Sequence, residues 1–323
     1  MTPPRLSAID ALARGFANVR ANRELIAVQV VSGLLLAASI VVPVLFFLVR
    51  LGVPLRVFRV REPEAMAQAL AAVQPDFAQL ASMLGLGLLV MLVVGMLVFI
   101  LYCWFQAGTL AVLLAGEAQA PVMRMAPSAV FRTFSWAGFV GWASRYGLRI
   151  FWINNLFLML LTLLMFVFAL PFLASAWLSS EEEFSAVGCV VGCGLAVPLG
   201  FVALVLVLAM MVAQICAVQE GATTLGATRR AFSIAGRRLG GLLLLYLLMI
   251  VGSIAITIFF GAAGLVLNLA LARAEMLLTV LSAGLGVVEF VASVCLTLVM
   301  TAAIVALVRA EMRAGPAPTR PSA

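Results

Sequence analysis

Six long apolar runs dominate this chain and limit what it can fold into. A transmembrane helix needs about 20 mainly apolar residues to cross about 30 Å of hydrocarbon, and every run meets this length. The runs are Leu25–Val49, Met83–Gln106, Ile150–Trp177, Val187–Cys216, Leu239–Leu269 and Leu277–Val308. The sequence therefore predicts an all-α polytopic membrane helix bundle with six transmembrane helices.

The composition indicates that lipid is the natural solvent for these runs. Hydrophobic residues make up 65% of the chain, charged residues make up 10%, and the mean hydropathy is +1.21. A soluble globular domain is about half apolar and about a quarter charged. A soluble protein of this size could not bury so many apolar residues in its core. We therefore interpret residues 1–323 as a single membrane domain with disordered ends at 1–6 and 314–323.

Missing residue types exclude several kinds of chemistry. The chain has no His, which is the usual acid–base group at neutral pH and the commonest metal ligand. It has no Lys, so Schiff-base catalysis is excluded. The five cysteines lie inside apolar runs and are expected to pack as small apolar residues. We therefore predict a non-enzymatic protein with no catalytic residue, no metal and no cofactor.

The basic residues are unequally divided between the two sides of the predicted bundle. All twenty are Arg, and fifteen of them fall in the N-terminal segment, the second loop, the fourth loop and the C-terminal tail. Arg near the ends of spans marks the cytoplasmic side, so both termini are predicted to be cytoplasmic. The use of Arg in place of Lys suggests a bacterium, and hence its inner membrane. The first loop is the exception, with Arg50, Arg56, Arg59 and Arg61.

Three of the Arg-rich segments resemble one another and suggest a threefold repeat. Each contains an Arg-x-Phe tripeptide at the same topological place, beginning at Arg14, Arg132 and Arg230. This pattern favours a basic amphipathic helix in the cytoplasmic interface, followed by a transmembrane hairpin. The repeat units would be 7–120, 121–219 and 220–313. The alternative is a chance resemblance between juxtamembrane helices.

These segments also supply a candidate surface for lipid or a partner. Its residues are Arg14, Phe16, Arg132, Phe134, Arg229, Arg230, Phe232, Arg237 and Arg238. The Arg side chains would face phosphates, while the aromatic rings would enter the headgroup boundary. The predicted partners are therefore membrane lipids with anionic headgroups. A protein partner is the alternative to lipid, and no nucleic acid is expected as a partner.

Two stretches carry a resemblance to a known group of proteins. They are AGTLAVLLAGEAQAP with the following FRTFSWAGFVGWASRY, and AVQEGATTLGATRRAFSIAGRRLGGLLLLYLL. In these stretches the chain resembles a loose group of six-helix bacterial and archaeal membrane proteins. That group includes the membrane domain fused to some glycerophosphodiester phosphodiesterases. The resemblance implies a fold and no activity, because a chain without His cannot supply that family's His-based chemistry.

The segment from Glu220 to Phe232 suggests an alternative function. It resembles the cytoplasmic coupling loop of ABC-importer permeases, with Glu220 and Gly226 among the shared residues. The Leu-Pro ending of that loop is missing, because Arg237 and Arg238 are followed by Leu-Gly. A transporter subunit is therefore the alternative to a lipid-binding protein.

Polar residues inside the runs are the remaining candidates, because polar groups in lipid are costly and usually face the bundle interior. Glu289 is a candidate proton or cation site for secondary transport, or else a carboxyl group bonded to a neighbouring helix. Asn154, Asn155 and Gln214, together with Gln106, are expected to make hydrogen bonds between helices. A polar substrate path is the alternative for these amides.

Overall fold

The computed structural model describes residues 6–50, 77–120, 127–178, 181–271 and 274–314. Within these ranges the chain forms seven α-helices and one 3-10 helix, the latter at Ser128–Phe131. The helices are α1 (Ala8–Ala21), α2 (Glu24–Arg50), α3 (Phe77–Gln119), α4 (Trp136–Leu178), α5 (Glu181–Glu220), α6 (Thr224–Ala270) and α7 (Glu275–Ala314). Helices α2 to α7 are each long and apolar enough to cross a membrane. The predicted polytopic bundle with six transmembrane helices is therefore confirmed.

Some sequence predictions concern residues outside the described ranges. These are the ends at 1–5 and 315–323, most of the first loop with Arg56, Arg59 and Arg61, and the loop arginines Arg124 and Arg273.

The helices are longer than the apolar runs that predicted them. Helices α3 to α7 contain between 40 and 47 residues. At 1.5 Å per residue they measure about 60 to 70 Å, which is about twice the hydrocarbon thickness. In α4 and α6, most of the extra length continues the helix into an Arg-rich segment, and in α3 it extends the helix to Gln119, before the second Arg-rich segment. The ends of α3, α5 and α7, the beginnings of α4 and α6, and α1 form what we call the Arg-rich end.

The described residues divide into two compact units. The larger unit takes its residues from Met1–Val28 and Trp104–Ala323, and the smaller from Gln29–Cys103. The smaller unit therefore contains most of α2 and the first part of α3. In α2, the hydroxyl groups of Ser32 and Ser39 donate to the carbonyl oxygens of Gln29 and Leu36. These bonds within the helix satisfy polar groups that would be costly in lipid.

The core of the larger unit lies towards its Arg-rich end. Residues 107–114 of α3, 208–218 of α5 and 302–308 of α7 are almost all buried. In contrast, most side chains of residues 158–170 and 246–271 are exposed or only partly buried. Helix α4 packs against α5, α5 against α6, α6 against α7, and α7 against α1. The helices of the larger unit therefore pack most tightly near the Arg-rich end.

Helix α1 docks directly on the backbone of α7. Its start is capped by Ser7, whose hydroxyl oxygen accepts from the backbone N–H of Asp10 at 3.1 Å. At Gly15, an added Cβ would lie 2.5 Å from the Val299 carbonyl oxygen and 2.7 Å from the Ala303 nitrogen. No other residue fits at this distance, so Gly15 fixes how closely α1 approaches α7.

The second and third Arg-rich segments fold differently from the first. In the third, α6 runs through the segment into the span, with non-helical angles at Arg238 (φ −121°, ψ 19°) that kink it. Gly221 (φ +63°) makes the turn from α5, and Thr223 caps α6. In the second, the 3-10 helix precedes α4, which begins at Trp136. The segments are thus a separate helix, a 3-10 turn before a long helix, and a kinked helix. The threefold repeat stays a prediction.

Candidate functional site

A buried ion pair joins α1 to α3 at the Arg-rich end. Arg14 contacts the same Glu117 oxygen twice, through Nη2 at 2.6 Å and Nε at 2.7 Å. The two residues are 4% and 5% exposed. The Arg14 guanidinium also lies 5.5 Å from the centre of the Phe131 ring. The expectation that Arg14 belongs to an exposed interaction surface is therefore wrong, because its charge is used inside the core.

The surroundings of this ion pair are strongly basic. Arg309 of α7 donates from Nη1 to the Leu114 carbonyl oxygen at 2.9 Å. Arg309 and Arg313 also interact electrostatically with Glu117. Glu117 Oε2 and Arg309 Nε are both buried without a hydrogen-bond partner among the described residues. One carboxylate therefore balances several guanidinium groups, which makes Glu117 the electrostatic centre of the cluster.

Two asparagines of the α1 region bind backbone groups of distant parts of the chain, Asn22 in the segment before α4 and Asn18 in α3. The Asn22 side-chain oxygen accepts from the backbone N–H groups of Thr133 and Phe134, both at 2.9 Å. Its side-chain nitrogen donates to the Phe131 carbonyl oxygen at 2.7 Å. Asn18 donates to the Leu113 carbonyl oxygen at 2.9 Å. Both side chains are buried, and Asn22 satisfies backbone groups of the turn before α4 that no helix pairs.

Other ion pairs at the Arg-rich end are more exposed. Arg132 bonds to Glu24 at 2.6 Å and to the Ala21 carbonyl oxygen at 3.0 Å. Arg238 bonds to Glu311 at 2.6 Å, and Arg237 lies 4.0 Å from the same carboxylate. The Arg238 side chain is only 16% exposed, so it is mainly a link between α6 and α7.

The proposed coupling residues lie at the junction of α5 and α6. Glu220 ends α5 and forms an ion pair with Arg230 at 3.0 Å. The backbone N–H of Gly226 donates to the Thr223 hydroxyl oxygen at 3.3 Å. Arg149 of α4 donates to the Gly221 carbonyl oxygen at 2.7 Å. These contacts give both residues a structural role in the turn.

The first part of α6 presents an exposed face that combines arginine with large apolar side chains. Leu225 (74% exposed) and Phe232 lie one above the other, with Arg229 beside them and Arg230 and Arg237 along one edge. The opposite face is buried and consists of Ala227, Ala231, Ile234 and Ala235. We call the segment Thr224–Arg237 the α6 basic segment. Its amphipathic character, predicted from the sequence, is confirmed by this division of burial.

Exposed aromatic residues accompany the α6 basic segment at the Arg-rich end. Phe16 of α1 and Trp136 and Trp152 of α4 are all exposed. Phe134 is partly buried and packs edge-to-face on Trp136, with ring centroids 5.1 Å apart. The Phe232 ring also stacks on buried Phe157, with centroids 6.0 Å apart. Of the three predicted aromatic residues, Phe16 and Phe232 are exposed and Phe134 is partly buried, while Phe134 and Phe232 also hold neighbouring elements together.

Three side-chain amides from three helices meet inside the bundle. Gln106 of α3 donates to Gln214 of α5 at 2.9 Å, and Gln214 donates to Asn154 of α4 at 2.5 Å. Asn154 completes the ring with a longer bond to the Gln106 oxygen at 3.5 Å. The predicted interhelical bonding of Asn154, Gln214 and Gln106 is confirmed. We call these three residues the amide ring.

The other polar candidates within the spans lie apart from the amide ring. Asn155 donates to the Phe151 carbonyl oxygen one turn earlier, at 2.8 Å, so its bond stays within α4 and the prediction of a bond to another helix is wrong for this residue. Glu289 is partly buried and makes no hydrogen bond or ion pair with the described residues. Neither contact pattern identifies a site for a proton or cation.

Sequence reasoning missed several residues that organise this end. Glu117, Asn18, Asn22 and Glu311 are polar residues that contact partners far away in the chain, and Gly15 permits close packing. Glu117 could be recognised as unusual from the sequence, because it is an acidic residue that follows an apolar run. Its partner is 103 residues away, so no local pattern could identify it.

Comparisons with known proteins identify no family for this chain. No family model, no curated protein and no solved structure matches the chain. Within the described ranges, no group of three or more Cys, Asp or Glu residues could hold a metal ion. The fold and the Arg-rich end therefore define a class, a multi-pass helical membrane protein.

Proposed function

We propose that this chain is a non-enzymatic, multi-pass protein of a bacterial inner membrane that binds anionic lipid headgroups. In this proposal the Arg-rich end and both termini face the cytoplasm, where the surface attracts phosphate groups. The alternating distribution of Arg along the sequence supports this orientation.

The α6 basic segment carries the proposal. Arg229 is exposed and makes no hydrogen bond or ion pair with the described residues, while Leu225 and Phe232 project from the same face. An interfacial helix needs both parts, because apolar side chains enter the acyl boundary while Arg contacts phosphate. The buried alanines on the other face hold the segment against the bundle. Its exposed face is therefore fixed in position before lipid binds.

Lipid selectivity in reconstituted membranes tests the proposal. The full chain is placed in vesicles with spin-labelled phosphatidylglycerol or phosphatidylcholine, and the protein-bound fraction of each lipid is measured. We expect a preference for phosphatidylglycerol. Each Arg near the surface is worth about 1 kcal/mol, or about fivefold in affinity. The Arg229→Gln/Arg237→Gln variant should therefore lose at least about fivefold of that preference.

A charge-matched variant provides the control. Arg56→Gln/Arg59→Gln removes the same charge from the first loop, which is predicted to lie on the opposite side. We expect its lipid preference to remain at the wild-type value. Equal preference for both lipids in the wild type, or equal losses in the two variants, would contradict the proposal. Stoichiometric copurification of an ATPase would instead favour the transporter-subunit alternative.

Reporter fusions test the orientation separately. Alkaline phosphatase fused to the C-terminus is inactive in the cytoplasm, so we expect no phosphatase activity, whereas a green fluorescent protein fusion should fluoresce. The reverse result would place the Arg-rich end outside the cytoplasm.

A further inference from the structure

We propose that the bundle binds one water molecule in a pocket beside the amide ring, within the membrane-spanning part of the larger unit. This site is independent of the proposed lipid surface, and its residues belong to α3, α5 and α7. It would provide a hydrated point where helices otherwise pack through apolar side chains.

The amide ring leaves hydrogen-bonding capacity unused. A primary amide has two N–H donors and one oxygen with two lone pairs. The ring uses one N–H of Gln106 and one N–H of Gln214, and no other bond from these two nitrogens is made to the described residues. Both side chains lie among buried apolar residues such as Leu110 and Ile215. Gln214 is buried, and a buried donor without a partner costs free energy, so this amide favours an acceptor nearby.

The pocket has the size and the lining that water requires. Its volume is about 30 Å³, and its lining includes Gln106, Gln214 and Thr301. A cavity of this size is large enough for a water molecule, which needs two to four polar partners. The Thr301 hydroxyl donates to the Thr297 carbonyl oxygen at 2.8 Å, so its own oxygen can accept. Water can therefore accept from the amide N–H groups and donate to Thr301.

The chemistry of the lining favours water over a metal cation. A cation such as Ca²⁺ requires about six oxygen ligands, whereas the polar lining consists of Gln106, Gln214 and Thr301, and both amides still have an unused N–H donor. The oxygens of the amide ring are already hydrogen-bond acceptors. A neutral ligand that both accepts and donates fits this set, and at this volume that ligand is water.

Radiolytic labelling provides a direct test. X-ray pulses convert bound water to hydroxyl radicals, which oxidise adjacent Met side chains, and mass spectrometry locates the product. Met211 lines the pocket. Met300 is buried and Met159 is exposed towards lipid, and neither lines the pocket. In lipid nanodiscs, we expect Met211 of the full chain to be oxidised at least fivefold faster than both controls.

Two variants separate bound water from other causes. Gln214→Leu removes the centre of the amide ring, and Thr301→Val replaces the hydroxyl group with a methyl group of similar size. We expect both to lower Met211 oxidation to the level of Met300 and Met159. Thr301→Val keeps the amide ring, so it remains informative if Gln214→Leu does not fold. Wild-type oxidation of Met211 as slow as the controls, or unchanged oxidation in Thr301→Val, would overturn the proposal. An increase in melting temperature with Na⁺ or Ca²⁺, absent in Thr301→Val, would also overturn it by indicating a cation.

Discussion

The buried Arg14–Glu117 ion pair leads to a prediction that distinguishes its two partners. Removing one partner of a buried pair costs about 3 to 5 kcal/mol, because the other charge stays buried without compensation. Glu117→Leu should cost the full amount, since it leaves Arg14 buried near the further positive charge of Arg309. Arg14→Leu should cost less, because Arg309 and Arg313 still compensate Glu117 electrostatically.

The double variant tests whether the charge itself causes the loss. Replacing both members of a buried pair with apolar residues is often neutral or stabilising. Arg14→Leu/Glu117→Leu should therefore recover most of the stability that Glu117→Leu loses, and the remaining loss should reflect Arg309 and Arg313, which still lack Glu117. Arg230→Leu is the matched control, because its pair with Glu220 has a similar length but the Arg230 side chain is half exposed. An exposed pair contributes about 0 to 1 kcal/mol.

Trypsin cleavage after Arg20, inside α1, measures how often this helix detaches. When opening is fast, cleavage follows the population of the open form, and about 1.4 kcal/mol corresponds to a factor of ten. Glu117→Leu should therefore be cleaved at least about a hundredfold faster than the wild type, and Arg230→Leu at most about fivefold faster. Equal rates for these two variants, or a double variant cleaved as fast as Glu117→Leu, would refute the electrostatic explanation.

Three further predictions concern contacts of α1 and the turn between α5 and α6. Gly15→Ala should also increase cleavage after Arg20, because the new Cβ would contact the α7 backbone, whereas Gly236→Ala, with open space around it, should not. Asn22→Ala leaves two backbone N–H groups without their acceptor and should lower the free energy of unfolding in denaturant by about 2 kcal/mol or more. Gly221→Ala should lower it by about 1 kcal/mol, because φ is +63°, whereas Gly240→Ala should have little effect.

The transmembrane helices could be predicted because their signal is local. An apolar run of sufficient length identifies a span without knowledge of its neighbours, and all six predicted runs lie inside helices α2 to α7. The lengths of these helices were harder to predict. The segment before the fifth run has an amphipathic pattern, which the sequence interpretation treated as a separate helix. In the structure it continues into the span as α6, with only a kink at Arg238.

The sites were less predictable because they depend on contacts between distant residues. Gln106, Asn154 and Gln214 each sit in an apolar run, so hydrogen bonding between helices could be expected. Their arrangement in one ring depends on the packing of three helices. The burial of Arg14 was opposite to expectation, because its helix meets α7 at Gly15 and turns this side chain towards Glu117.

The ion pairs of the acidic residues show that the arginines at the Arg-rich end have two different roles. At the Arg-rich end, Glu24, Glu117, Glu220 and Glu311 each form an ion pair with an arginine that is distant in the sequence or on another element. The arginines in these pairs hold the helices together and are less able to attract lipid. In contrast, Arg20 and Arg229 are exposed and form no hydrogen bond or ion pair with the described residues. A rule that counts every Arg near a span treats these groups alike, whereas the structure separates them. The proposed attraction for anionic lipid should therefore depend on Arg20 and Arg229 more than on Arg14 or Arg238, although all four contribute equally to the sequence signal.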